Sequence, residues 1–206
     1  TTIRGYLTRF GNGLLDGRFD VASSDIGDVA ALGLVDAGGE INGTVELSDE
    51  ETMQTVKTDL SVSRLRYEDY RVKSGTLVAT ALDVFNQPRI GATLNGETIR
   101  AGGTTIDTVD ARISTIGNET TFETEAFLSQ NNANLKASGK VLQQDQRSTV
   151  QLETLVLSSD VANANLTKPA SIILSNGTTR ISDAVLAVGS GEIRVDGSSG
   201  EELNLL

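Results

Sequence analysis

The stretch Ala133-Asn134-Leu135-Lys136-Ala137-Ser138-Gly139-Lys140-Val141 alternates between small or apolar residues and polar ones. Successive side chains of a β-strand point to opposite faces of a sheet, so a period of two predicts a strand with one apolar and one polar face. The same alternation recurs in residues 41–47, 90–94 and 122–128. The pattern therefore predicts an all-β protein.

Short polar breaks separate the alternating runs, and Asn95-Gly96 and Gly117-Asn118 are typical of tight hairpin turns. The spacing of these breaks predicts about 14 to 17 strands in a mostly antiparallel sheet. One stretch differs. Residues 24–33 begin with Ser24-Asp25 and continue with apolar residues at helical spacing, which predicts a short helix. Composition does not change abruptly anywhere, so residues 1–206 are expected to form a single domain.

Charge and composition exclude several classes of function. The net charge is −11, so a nucleic acid would be repelled. The chain contains no His and no Cys, which removes the commonest general base and the commonest zinc ligands. Carboxylates such as Glu123 and Glu125 fall on the polar face of a predicted strand, where a solvated surface explains them. We therefore expect neither catalysis nor a metal or cofactor site.

Strands with a single apolar face must shield that face, and three all-β architectures do so. These are a sandwich, a closed barrel, and a long sheet folded lengthwise into a trough. The apolar positions carry mostly Val, Leu, Ile, Ala and Thr, with 5 Phe, 3 Tyr and no Trp in the chain. Such side chains pack between two sheets about 10 Å apart, and they equally suit the wall of a groove. Side-chain chemistry alone leaves the architecture open.

A family resemblance favours the trough. The stretches that carry it are residues 24–32 followed by 39–47, the Asn86-Gln87-Pro88 stretch with its alternating continuation to Gly96, and residues 109–141. In this order, they resemble the C-terminal half of TamB (translocation and assembly module B) proteins. The resemblance to these AsmA-like bridge proteins covers residues from about 10 to 206. Its first element is the predicted helix of residues 24–33.

The resemblance implies a β-taco, a sheet folded lengthwise around an apolar groove, with residues 1–206 as one segment of a longer periplasm-spanning protein. That protein would be anchored in the inner membrane outside this segment. It would meet an outer-membrane barrel of the TamA (Omp85-like) type, carry phospholipid acyl chains between the membranes or support outer-membrane protein assembly, and have no catalytic signature.

On this interpretation, the groove lining comprises aliphatic and aromatic residues on the apolar side of the strands: Ile90, Leu94, Ile113, Phe122, Leu128, Leu135, Val141, Val150, Leu152, Leu155 and Leu157. The alternative is a β-solenoid or sandwich that acts as an adhesin or structural binding module. In that case the same side chains would fill a core.

Overall fold

The structure is a computed structural model that describes residues 1–27, 37–50, 53–85, 88–144, 147–175, 177–199 and 203–205. Within these residues it contains fifteen β-strands and one turn of 3-10 helix at Ser129–Asn131. The predicted all-β class and mostly antiparallel sheet are confirmed. Within the described part of the chain, no helix reaches the length and hydrophobicity of a membrane span.

The strands fall into two compact units, residues 1–112 and 113–206, and the seventh strand, β7 (Thr104–Ile116), contributes to both. Unit 1 also contains β1 (Thr2–Arg9), β2 (Leu15–Ser23), β3 (Ala37–Glu50), β4 (Met53–Tyr67), β5 (Tyr70–Leu82) and β6 (Arg89–Ala101). Unit 2 also contains β8 (Glu119–Leu128), β9 (Ala133–Gln144), β10 (Arg147–Ser158), β11 (Ala164–Leu166), β12 (Ala170–Ser175), β13 (Thr178–Val188), β14 (Gly191–Ser199) and β15 (Leu203–Leu205). The expectation that residues 1–206 form one domain stays a prediction.

Strand order in the sheet follows chain order. In unit 1, β1 to β6 pair in succession, each antiparallel to its neighbour. In unit 2, β10 pairs with β9 on one side, and on the other side with both β11 and β12, which share one position in the sheet. β13 follows both of these, and β14 and β15 continue the order. Because the described pairings are antiparallel, the coils of a parallel β-solenoid do not account for this fold.

The predicted helix at residues 24–33 lies mostly outside the described residues, since 28–33 are among those not described. At its described start, the Asp25 carboxylate accepts hydrogen bonds from the backbone N–H groups of Gly27 (2.9 Å) and Gly39 (3.2 Å). These bonds lower the pKa of the Asp25 carboxyl, the Gly27 bond having the larger effect. Asp25 thus ties the segment after β2 to the beginning of β3.

Of the two predicted turns, one is confirmed and one is wrong. Gly117 and Asn118 form the turn between β7 and β8, with Gly117 at a φ of 60°. Asn95 and Gly96 lie inside β6 instead, opposite Thr76 and Gly75 of β5. The two strands pair from Arg71 and Arg100 to Leu82 and Arg89. This long ladder outweighs the local preference of an Asn-Gly pair for a turn.

Bulges interrupt several strands where two polar residues follow each other. In β10, Leu152 pairs with Gly139 and Leu155 with Ala137, so Glu153 is an extra residue. In β13, Ile181 pairs with Gly197 and Ala184 with Val195, so one extra residue lies at Ser182-Asp183, where Asp183 has a φ of 62°. An extra residue shifts the alternation by one position. Leu152 and Leu155, three residues apart, therefore lie on the same face.

One buried amide joins the beginning of β2 to the end of β3. The Gln54 side chain is 2% exposed. Its Oε1 accepts the Leu15 N–H at 2.7 Å, and its Nε2 donates to the carbonyls of Leu15 (2.9 Å) and Ser48 (3.1 Å). A buried backbone group left without a partner costs about 1–3 kcal/mol, so Gln54 is a local determinant of stability in unit 1.

Replacing Gln54 by Leu should destabilise the protein, because the Leu15 N–H and two carbonyls lose a buried partner. We expect the free energy of unfolding to fall by about 3 kcal/mol in urea titrations. Gln151→Leu, on an exposed residue of β10, should change it by less than about 0.5 kcal/mol. Equal midpoints for the two variants would contradict this role of Gln54.

The neighbouring residue should behave in the opposite way. Thr55 is fully buried, and its Oγ1 has no hydrogen-bond partner within the described structure. Thr55→Val removes the unsatisfied hydroxyl at nearly constant volume and should raise the free energy of unfolding by about 1 kcal/mol. The matched control is Thr58→Val on the same strand, since the Thr58 hydroxyl donates to the Thr44 carbonyl at 3.2 Å. Thermal unfolding of both variants tests the assignment: Thr55→Val should melt at a higher temperature than the unaltered protein, and a lower melting temperature would refute it.

Candidate functional site

The register of unit 1 brings aliphatic residues of neighbouring strands together on one face. One row across the sheet consists of Ile3, Val21, Gly43, Leu60, Leu77 and Leu94. A second row consists of Leu7, Gly17, Leu47, Val56, Ala81 and Ile90. We call the side of the sheet that carries these rows the apolar face of unit 1. It contains Ile90 and Leu94, the two residues of this unit predicted to line a groove.

The apolar face of unit 2 is built in the same way. One row consists of Phe122, Gly139, Leu152 and Ala170, and another of Thr120, Val141, Val150, Ile172, Ile181 and Gly197. The Thr115 and Thr120 hydroxyls lie 2.9 Å apart, which places Ile113, two residues before Thr115, on this face as well.

The remaining predicted lining residues of unit 2 share its apolar face. Leu135 pairs with Ala126 on one side and Leu157 on the other, while Leu128 pairs with Ala133. Leu155 reaches the face because of the bulge at Glu153 and pairs with Ala137. The structure thus brings nine of the predicted residues together in unit 2 and two in unit 1. Whether they contact lipid stays a prediction.

Among the described residues, large aliphatic side chains on these faces stay partly exposed. The buried apolar residues of the described chain are the alanines Ala126, Ala133 and Ala170, whereas Leu94 is 42% and Ile113 39% exposed. A sandwich with a filled core would bury its large aliphatic residues. The structure instead fits a groove-like sheet of the β-taco type.

Large side chains on the apolar faces lie across neighbouring glycines. A Cβ atom on Gly139 would lie 3.1 Å from Cζ of Phe122, and one on Gly5 would lie 2.8 Å from Cδ1 of Phe19. Each aromatic ring therefore covers the glycine opposite it. At both positions the ring occupies the space that a side chain in place of the glycine would need.

The opposite, polar face carries exposed ion pairs between neighbouring strands. Lys57 bonds Glu50 at 2.7 Å in unit 1, and Lys136 bonds Glu125 at 3.0 Å in unit 2. The Lys136 bond is the main reason that the pKa of the Glu125 carboxyl is lowered. Such exposed pairs contribute little to stability. They place charged groups on the polar face, where water hydrates them, and leave the opposite face to apolar side chains.

Two open hollows lie on the polar side. The hollow in unit 1 has a volume of 430 Å³ and is lined by Ser74, Thr76, Asn95, Glu97, Thr108 and Asp110, among others. The side chains bond to each other: the Ser74 hydroxyl donates to Glu97 and the Thr76 hydroxyl to Asn95. The hollow in unit 2 has a volume of 420 Å³ and includes Lys168 and Asp183, paired at 2.8 Å. Because these groups pair among themselves, the apolar faces are the stronger candidate for a site.

Sequence reasoning missed most of the apolar face of unit 1. Leu60 and Leu77 lie in the row of Leu94, and Val56 lies in the row of Ile90. The signal was present, because all three belong to runs with a period of two. What the runs do not reveal is the register, which determines which residues of neighbouring strands meet.

Comparison with known proteins identifies the family. A family model described as TamB, N-terminal domain, matches residues 16–189. No curated protein and no solved structure matched the chain. The match spans β2 to β13 and so includes most of both apolar faces. It names the N-terminal domain, however, and thereby corrects the assignment to the C-terminal half. The chain belongs to the TamB family and is a segment of a TamB-type bridge or assembly protein of the cell envelope.

Proposed function

We propose that the apolar face of each unit lines a groove that holds phospholipid acyl chains, and that the chain carries these lipids between the inner and outer membranes. The observation that carries the proposal is the half-exposed aliphatic surface that continues from strand to strand. Leu94 and Ile113 remain accessible on it, although both are large and apolar. Exposed apolar patches beyond a few hundred Å² mark binding surfaces in soluble proteins.

The energetics of lipid transfer explain why such a surface is useful. Each CH₂ group exposed to water costs about 0.8 kcal/mol, so two acyl chains with roughly 28 methylenes cost about 22 kcal/mol. A continuous apolar wall removes much of this cost at every step. Since the residues themselves stay half-exposed without a ligand, bound tails would also shield them from water.

The dimensions of each unit suit one acyl chain. Neighbouring strands lie about 4.8 Å apart, so the six strand positions from β1 to β6 span about 24 Å. One leaflet of a bilayer core is about 15 Å thick, which is the depth taken up by a single set of tails. Each apolar face is therefore long enough to hold a tail along the direction of strand stacking. The rings of Phe19 and Phe122 lie over glycines and leave the tail free to slide.

The proposal extends to the cellular setting that the family implies. The chain would lie in the periplasm, as part of a protein anchored in the inner membrane by a segment outside it. An outer-membrane barrel of the TamA (Omp85-like) type would be its partner, and support of outer-membrane protein assembly would be a further role. The net charge of −11 suits a wetted exterior around the groove. The function proposed is binding and transfer, without catalysis.

A charged residue on the apolar face should strongly weaken lipid binding. We expect phospholipid to co-purify with the protein and to be seen in native mass spectra. Leu152→Glu should reduce the bound fraction by about tenfold or more, because a carboxylate beside the tails costs at least 1.4 kcal/mol. The matched control is Val156→Glu, on the same strand but paired with Lys136 and Asn165 on the polar face, where Val156 is 42% exposed.

Circular dichroism must show that both variants keep their strands, since Leu152 is only half-exposed. A folded Leu152→Glu protein that retains lipid would refute the proposal. So would equal loss of lipid in the two variants.

A further inference from the structure

The register of unit 1 places three arginines in one row across neighbouring strands. Arg66 of β4 pairs with Arg71 of β5, and Arg71 pairs with Arg100 of β6. All three are exposed. Directly opposite side chains have Cβ atoms about 5 Å apart, and like charges in such positions destabilise a sheet. This arginine row is therefore a local conflict, in a chain whose net charge is −11.

At other positions the register sets opposite charges beside each other. Arg18 of β2 pairs with Glu46 of β3, and Glu46 pairs with Lys57 of β4. In unit 2, Glu125 pairs with Lys136. Among the described residues, by contrast, none of the three arginines of the row forms an ion pair. Positions where a sequence departs from such a local rule are often functional. A row of cations indicates an anionic ligand.

Arg66 lies at one end of the row, beside the beginning of β3. Its guanidinium lies over Gly38, where any other side chain would collide with it. The nearby carboxylate is that of Asp25, whose pKa is lowered mainly by the hydrogen bond from Gly27, with the charge of Arg66 contributing least. Because Asp25 already bonds to two backbone N–H groups, it leaves the Arg66 guanidinium available to a ligand.

Arg71 lies at the turn between β4 and β5, which consists of Glu68 and Asp69. Its Nη1 donates hydrogen bonds to the backbone carbonyls of Glu68 and of Tyr70, the latter at 2.8 Å. A guanidinium has five N–H groups, so in these contacts those of Nη2 and Nε still point to solvent or to a ligand. The bonds to the main chain hold the charge of Arg71 at the end of the hairpin.

The apolar face of unit 1 reaches the same turn. A Cβ atom on Gly96 would lie 3.0 Å from Cδ1 of Ile99, so Ile99 lies on this face. The row of Ile99 consists of Leu65, Val72 and Ile99. Two residues further along each strand, Tyr67 and Tyr70 pair with each other and are 45% and 51% exposed. Tyr is favoured where an apolar phase meets water. The arginine row lies between these two apolar rows and points to the opposite face.

We propose that Arg66, Arg71 and Arg100 bind the phosphate of a phospholipid headgroup whose tails lie on the apolar face of unit 1. Guanidinium groups donate paired hydrogen bonds to phosphate oxygens, and the negative charge relieves the repulsion within the row. The headgroup then stays in water at the β4–β5 turn, with Tyr67 and Tyr70 beside the beginning of the tails. Three cations favour a headgroup of net negative charge over one that also carries an ammonium group. The inference rests on the proposed function, because a lipid is what links the anion to the apolar face.

Isothermal titration calorimetry of the protein tests the proposal with three soluble probes. These are dihexanoyl phosphatidylglycerol, dihexanoyl phosphatidylcholine and inorganic phosphate. Phosphatidylglycerol should bind more tightly than either of the others. Arg71→Gln with Arg100→Gln should weaken its binding by about tenfold or more, because two charged hydrogen-bond donors are lost. The preference for phosphatidylglycerol over phosphatidylcholine should be lost in the same variant.

A matched control removes two arginines that lie outside the row. Arg147→Gln with Arg180→Gln makes the same change of charge at exposed positions of unit 2, where neither arginine pairs with a charged residue of the described strands. This variant should bind phosphatidylglycerol like the unaltered protein. Circular dichroism establishes in each case that the strands remain. Equal affinities of the two arginine variants would overturn the proposal, as would equal binding of phosphatidylcholine and phosphatidylglycerol by the unaltered protein. Inorganic phosphate bound as tightly as phosphatidylglycerol would assign the row to free phosphate and overturn the headgroup as its ligand.

A variant on the apolar face separates this inference from the proposed function. Leu60→Glu changes the face that would hold the tails and leaves the arginine row intact. Weaker phosphatidylglycerol binding by Leu60→Glu, with unchanged binding by the Arg71 and Arg100 variant, would support the proposed function and overturn the headgroup site. Weaker binding by the arginine variant, with unchanged binding by Leu60→Glu, would contradict the proposed function and support the arginine row alone.

Discussion

The whole structure depends on one constraint, the pairing register that keeps apolar residues of successive strands on the same side. Backbone hydrogen bonds between neighbouring strands pair the polar backbone groups of the described strands. Rows such as Ile3, Val21, Gly43, Leu60, Leu77 and Leu94 then form because each strand is aligned with the next. Lateral contacts within a row contribute about 0.2–1 kcal/mol for each pair. A wide apolar surface is thereby produced and left accessible.

Bulges preserve this surface where the alternation changes. In β10 the apolar residues Leu152 and Leu155 are separated by two polar residues rather than one, and a regular strand would turn Leu155 toward the polar face. The extra residue Glu153 corrects the direction, and its carboxylate lies 3.8 Å from the Lys140 amine on the polar side. A bulge of the same kind in β13 returns Ala184 to the apolar face. The continuity of the proposed lining is thus a property of register and bulges together.

The period of two was sufficient to predict the strands, and the short breaks between them predicted the antiparallel order. Within each unit the period also predicted the shared face of the proposed lining residues, except for Leu155 and Leu157, whose direction depends on the bulge at Glu153. It was not sufficient for features that depend on a neighbouring strand. Asn95-Gly96 has the sequence of a hairpin turn, yet the ladder with β5 holds it inside β6. The bonds from the Gln54 side chain to β2 and β3 likewise depend on how these strands align with β4, which the sequence pattern does not reveal.

The central claim is that fatty tails occupy the apolar face. The most direct measurement places a photo-crosslinking amino acid at position 152 or position 156 of the full-length protein in living cells and identifies the attached molecules by mass spectrometry. The two positions lie on the same strand, with Leu152 on the apolar face and Val156 on the polar face. The account predicts phospholipid attached at position 152 and none above background at position 156. No lipid at position 152, or equal amounts at both positions, would contradict it.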